Sequence, residues 1–417
     1  MQGKGQMMLD SATPPGDAPT TRKRLFSGLV AMLAITLAFT AGVALTRGTA
    51  SMPAAAESAT EPQAITPPGP DGFGVFYVNG EQHKSNWSDN RDAPKGFPTS
   101  KRTSTYYQAR ITYLRPENPT GPNIVLVPGY GLASDIWMTT PDLREGWAQM
   151  LYHAGYSVYV LSPPDRGESM PIDQINKCKF LATDPDVSPR KFQRYFAKHC
   201  VGQEMDAYYG QVGRATLENS WPTWRFGPTY GIPYPNSQFP SLPLKQNYVE
   251  QFGASFGPYL GTSDIAMVNN KIMNNLTTDS LEALLAKIGP SVVVLHSAAG
   301  TGGYNTAMAD SSMVKALVAI ETTKCPTHND AVELLAGTPF LGIWGDHITR
   351  ESPGGHWDRR AACQTMAKKI RAIGEAPAKV ITLPNIGIHG NSHMMMEDLN
   401  NDRVLMVITD WLSANGI

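Results

Sequence analysis

VVVLHSAAGTGGYN, residues 292–305, runs a continuous apolar segment through His296 into a serine and then into small residues. The pattern predicts a strand over 291–297, buried on both faces as in a parallel sheet, followed by a helix over 299–312. A sharp strand-turn-helix elbow of this kind exposes a serine Oγ and brings backbone N–H groups close to it. It tolerates only small residues where strand and helix pack. The usual pattern is G-x-S-x-G. Here Leu295-His296-Ser297-Ala298-Ala299 lacks both glycines, and Gly300 comes one place later. Ser297 is therefore a candidate nucleophile, and a plain helix-capping serine is the alternative. The GTGGYN glycines lack the Lys-Ser/Thr of a phosphate loop and serve the elbow.

Outward from this stretch, the chain alternates strands and helices. Strands are expected at 74–82, 104–116, 124–131, 156–162, 315–321, 339–346 and 379–385, and helices at 146–156, 357–373 and 402–412. That alternation means an α/β fold: a mostly parallel central sheet with helices on both faces. About 130 residues separate the strand near Leu161 from that at Ser291, where a simple crossover unit needs roughly 30. The interval is read as a cap, residues 171–285, between two core parts, 73–170 and 286–417. Ligands of open α/β sheets bind at the strand ends that such a cap would cover. Its aromatic tract, SWPTWRFGPTYGIPYPNSQFP, offers Trp221, Trp224, Phe226 and Tyr230 either as pocket lining or as cap core.

The 417 residues are 41% hydrophobic, enough for a sizeable core, so a largely disordered chain is excluded. Thirty-five basic against 36 acidic side chains leave a net charge of -1, which gives no electrostatic reason to expect nucleic acid. Residues 1–24 form a polar segment ending in Arg22-Lys23-Arg24. Residues 25–45 then run without a charge, long enough to span a hydrocarbon core of roughly 30 Å. This is a signal peptide, with small residues for cleavage at Ala54-Ala55-Ala56, or an uncleaved signal anchor. Either way the chain after a linker at 46–72 is exported, secreted or held at the outer face of the membrane. Export implies oxidised cysteines. The four present are expected to pair as Cys178–Cys200 within the cap and Cys325–Cys363 within the core.

A serine nucleophile needs a base, and the base an orienting acid. The segment after the last expected strand, GIHGNSHMMMED, holds two candidate bases, His389 and His393. Their i,i+4 spacing is compatible with metal ligation, but Gly390 and Asn391 oppose the helix that ligation requires, so no metal is expected. Glu321 ends the apolar strand LVAIE, where a charged side chain needs a partner. Asp346 follows the next strand and is the alternative acid.

These phrases resemble the α/β-hydrolases, and within them a group of secreted bacterial esterases. The resemblance covers roughly residues 74–417. It rests on the H-S-x-x-G elbow (His296 to Gly300), the W-R-F-G-P segment (Trp224 to Pro228), Glu321, and the G-N-S-H-M-M-M-x-D stretch (Gly390 to Asp398). Asp165 to Ser169 is similar to a structural segment of the same fold. The resemblance implies Ser297 as nucleophile, His393 as base and Glu321 as acid, with backbone N–H groups of Tyr130 and Ala298 holding the oxyanion. It implies a small or polymeric carboxylic ester as substrate and no cofactor. The group tends to carry Gln where this chain has Ala298, so substrate preference does not transfer. A lactonase or C–C bond hydrolase on the same residues is the first alternative, and a non-catalytic extracellular binding domain the second.

Overall fold

A computed structural model describes residues 72–85, 102–106, 108–129, 131–164, 169, 212–213, 216–241, 246–256, 259–260 and 264–417. The segment 25–45, the linker 46–72 up to residue 71, Tyr130, Cys178, Cys200 and most of the cap's first half lie outside the described residues.

The strands are β1 (Gly72–Val78), β2 (Glu81–Ser85), β3 (Arg102–Tyr106), β4 (Ala109–Arg115), β5 (Asn123–Val127), β6 (Val158–Ser162), β7 (Val212–Gly213), β8 (Tyr259–Leu260), β9 (Ser291–His296), β10 (Val314–Ile320), β11 (Phe340–Trp344) and β12 (Ala378–Thr382). Eight of them form one sheet in the order β1-β4-β6-β5-β9-β10-β11-β12. β1 and β4 pair antiparallel, as do β4 and β6, and every later pair is parallel. The helices are α1 (Trp147–His153), α2 (Leu217–Thr223), α3 (Gln246–Ala254), α4 (Asp264–Ile288), α5 (Gly300–Ala309), α6 (Asn329–Leu335), α7 (His356–Ile373) and α8 (Asn401–Ala414).

The expected single strands 74–82 and 104–116 are each broken in two. Asn79 and Gly80 both have positive φ, which turns the chain between β1, paired with β4, and β2, paired with β3. The continuous apolar runs do what their composition dictates. β6 and β9 are buried along their whole length, because helices cover both faces of the sheet. Trp147 and Leu151 of α1 pack on one face with Val404 and Ile408 of α8. Leu281, Leu284 and Leu285 of α4, Tyr304 of α5 and Cys363, Met366 and Ile370 of α7 pack on the other. α4 therefore runs from the inserted region across position 285 into the sheet's own core. This is the α/β-hydrolase fold.

Candidate active site

Ser297 lies directly after β9, at the elbow, with φ of +51°. A non-glycine residue in this region costs about 1–3 kcal/mol and persists only where packing holds it. That packing is visible. A Cβ on Gly300 would come 2.7 Å from Thr322 Cβ, and one on Gly129 would come 2.8 Å from Ser297 Cβ. Only glycine lets the β10 loop and the loop after β5 close on the elbow from either side. The backbone N–H of Thr323 donates to the Ser297 carbonyl at 2.9 Å, fastening the β10 loop to it.

Glu321 follows β10 and also has positive φ, +45°. Its carboxylate is fully buried and satisfied by several donors. Oε2 accepts from His393 Nδ1 at 2.7 Å. Oε1 accepts from the Gly345 N–H at 2.8 Å and from the Arg225 guanidinium. His356 Nδ1 lies 3.3 Å from Oε2 without hydrogen-bond alignment. Burial alone would raise this carboxyl, but Arg225 and the two imidazoles outweigh it and hold the group well below the usual carboxylate range. Burial, and then His296, push His393 well below the ordinary imidazole value, against the pull of Glu321. His393 is thus a neutral imidazole at neutral pH, held at Nδ1 by an ionised acid.

His393 is held from several sides. Its backbone N–H donates to the Trp224 carbonyl at 2.8 Å. Asp398 accepts from the Ser392 N–H and hydroxyl, both at 2.8 Å, and from Asn391 Nδ2 at 3.0 Å. His296 Nε2 lies 3.2 Å from the His393 carbonyl. Burial lowers His296 to about 4, so it is neutral and its Nε2–H donates to that carbonyl.

Ser297, Ala298 and His393 line one cavity of about 300 Å³, with Leu132, Thr223, Trp224, His296, Thr323, Gly354, His356 and Arg359. The structure thus brings Ser297, His393 and Glu321 to one place. Asp346 serves elsewhere: its carboxylate accepts the N–H groups of His347 at 2.7 Å and Gly390 at 3.0 Å, fixing the start of the histidine loop. His389 is largely solvent-exposed, 3.7 Å from Asp346. Of the aromatic candidates only Trp224 lines the cavity. Trp221 and Phe226 are buried in a cluster with Phe239 and Phe252, the Phe226 and Phe239 rings stacking at 3.7 Å. Tyr230 is 43% exposed, edge-on to Trp221. Large aromatic surfaces bury one another here, which removes three of the four from the pocket. Cys325 and Cys363 form a disulfide that ties the loop after Glu321 to α7.

Sequence reasoning missed Arg225, His356 and Arg359. Arg225 had a signal: a lone cation inside an aromatic tract must be paired if buried. The ligand atoms of Glu321, His356 and His393 lie within 4.8 Å of one another, a spacing that fits a metal. The guanidinium on the same carboxylate opposes a second cation there.

No family model matches the chain. Among solved structures it is similar to a bacterial esterase, with a TM-score of 0.64 and 27% identity, covering 84% of this chain and 99% of that one. Among curated proteins it is similar to "Probable secreted lipase phiG" of a fungal species (strain ATCC 74256), 26% identical over 212 residues. That match spans 51% of this chain and 48% of the lipase, so the chain matches about half the length of its curated relative.

Proposed function

We propose that the protein is a carboxylic ester hydrolase that works through an acyl-enzyme on Ser297. The observation that carries this reading is the buried contact between Glu321 Oε2 and His393 Nδ1, beside the cavity that Ser297 lines. With Nδ1 engaged, Nε2 of His393 is the nitrogen left to take the Ser297 proton. The serine oxygen attacks the ester carbonyl, and the oxyanion is held by the Ala298 N–H and by that of Tyr130, the latter assigned from sequence alone. The alkoxide leaves with the proton from His393. Water then enters, gives a proton to the same nitrogen and attacks the acyl carbonyl, releasing the carboxylic acid and restoring Ser297. Similarity to an esterase and to a protein named as a lipase supports ester substrates.

The inserted region 171–285 acts as a cap on a core of 73–170 and 286–417. We place the protein outside the cytoplasm. The apolar segment 25–45 after three basic residues, the Cys325–Cys363 bond and the secreted relative support this. A fluorophosphonate probe tests the mechanism. It should label Ser297 in the wild type and nothing in Ser297→Ala, whose hydrolysis should fall by about 10⁶. A Ser297→Ala variant keeping more than a few per cent of activity would remove the proposal.

A further inference from the structure

Arg359 is the one charged side chain among the described residues lining the Ser297 cavity besides the histidines. The other arginines near the site are occupied. Arg225 binds Glu321 and the Asp346 carbonyl. Arg350 and Arg360 lie over the Trp357 ring. The Arg359 guanidinium makes no hydrogen bond or ion pair with any described residue. Burial pushes it down from its ordinary value, against the pull of Glu321. No aspartate or glutamate is among the described lining residues. Glu321, the acid whose charge acts on Arg359, is already bound by Arg225.

A half-buried guanidinium with no partner among the described residues, in a small cavity, is costly unless a ligand answers it. Its flat fork matches a carboxylate with two parallel hydrogen bonds. We propose that the substrate is an ester bearing a carboxylate, which Arg359 binds while Ser297 attacks the ester carbonyl. This rests on the Ser297–His393 reading above and adds the substrate class to it. A cavity of about 300 Å³ is at the small end for ligand sites, which suits a short acid ester rather than a long acyl chain.

The test compares carboxylates with their neutral carboxamides, so that shape is held constant. For a carboxylate on the acyl side the pair is monomethyl adipate and methyl adipamate. For one on the alcohol side it is 4-acetoxybutanoate and 4-acetoxybutanamide. Initial rates by pH-stat at neutral pH give the ratio of kcat/KM, acid over amide. In at least one pair the wild type should favour the acid by about tenfold or more, the size of a hydrogen bond to a charged group. The preference should shrink with added salt. In Arg359→Met the ratio should fall to about one, and in Arg359→Glu below one. Wild-type ratios near one in both pairs, or a preference kept in Arg359→Met, would overturn the proposal. So would hydrolysis of p-nitrophenyl acetate without that of either carboxylate ester. If no ester is cleaved and the fluorophosphonate labels nothing, the hydrolase reading itself has failed.

Discussion

Replacing Arg225 by methionine tests the least expected part of the site. Arg225 and Glu321 are both fully buried, and the guanidinium is one of four groups around the carboxylate. Removing one partner of a buried pair costs about 3–5 kcal/mol, because the other charge is left uncompensated. The lower end applies, since the Gly345 N–H and His393 Nδ1 still serve Glu321. Arg225 Nε also donates to the Asp346 carbonyl at 2.8 Å, which adds about 1 kcal/mol. A loss of about 4 kcal/mol, at roughly 2 °C per kcal/mol for a large domain, lowers Tm by about 8 °C. Adding Glu321→Gln removes the stranded charge, so the double variant should regain at least half of that loss. The variant should also alter catalysis. Without Arg225 the Glu321 charge falls more fully on His393, favouring its protonated form and moving the acid limb of kcat/KM to higher pH. Calorimetry of the wild type, both single variants and the double variant, with pH–rate profiles of the wild type and Arg225→Met, measures all of this. An Arg225→Met protein melting within 2 °C of wild type with an unmoved acid limb would refute the reasoning.

Glu321→Gln should cut kcat by roughly 10⁴, because the amide no longer fixes the productive imidazole tautomer. Asp346→Asn keeps an acceptor for only one of the His347 and Gly390 N–H groups, which bind separate carboxylate oxygens, but it leaves the Glu321–His393 contact intact and should lower kcat far less than Glu321→Gln; the reverse ranking in steady-state assays would reassign the acid. In the wild type, His393 must be neutral to act, and burial has lowered its pKa. Activity should therefore persist as pH falls through 6.5 and decline only below it, with kcat/KM profiles showing an inflection at or above 6.5 if this is wrong. Gly129→Ala puts a methyl 2.8 Å from Ser297 Cβ and should lower kcat by about 100-fold through displacement of the elbow, read equally as slower fluorophosphonate labelling.

The sheet was legible because its central strands are uniformly apolar runs of the right length, and a parallel strand buried on both faces has no other signature. Ser297 and Glu321 stood out for the same reason: each stands where such a run ends, Glu321 directly after it and Ser297 one residue on, past His296. The split of the first strands was written in Asn79-Gly80, a turn signal embedded in an otherwise strand-like stretch. What could not be read was set by packing across long sequence separations. Arg225 meets Glu321 across 96 residues, and no local pattern records that. Trp224 and Phe226 are two apart in one aromatic tract, yet one faces the cavity and the other stacks on Phe239. The difference lies in the turn at Arg225, whose φ of +61° redirects the chain between them.

The carboxylate facing His393 comes from the end of β10, not from β11. The segment between β11 and α7 is thereby released from supplying a reacting group, and past the Asp346 anchor it runs through His347 to Gly355 before delivering His356 and Arg359 to the cavity wall. Between the Gly345 N–H, which binds Glu321 at one end, and His356, which lies against it at the other, residues 348–353 are free of that duty and can change composition without removing a group that Glu321 contacts. Selection for a new substrate thus has a place to act that is adjacent to the chemistry and supplies none of its reacting groups.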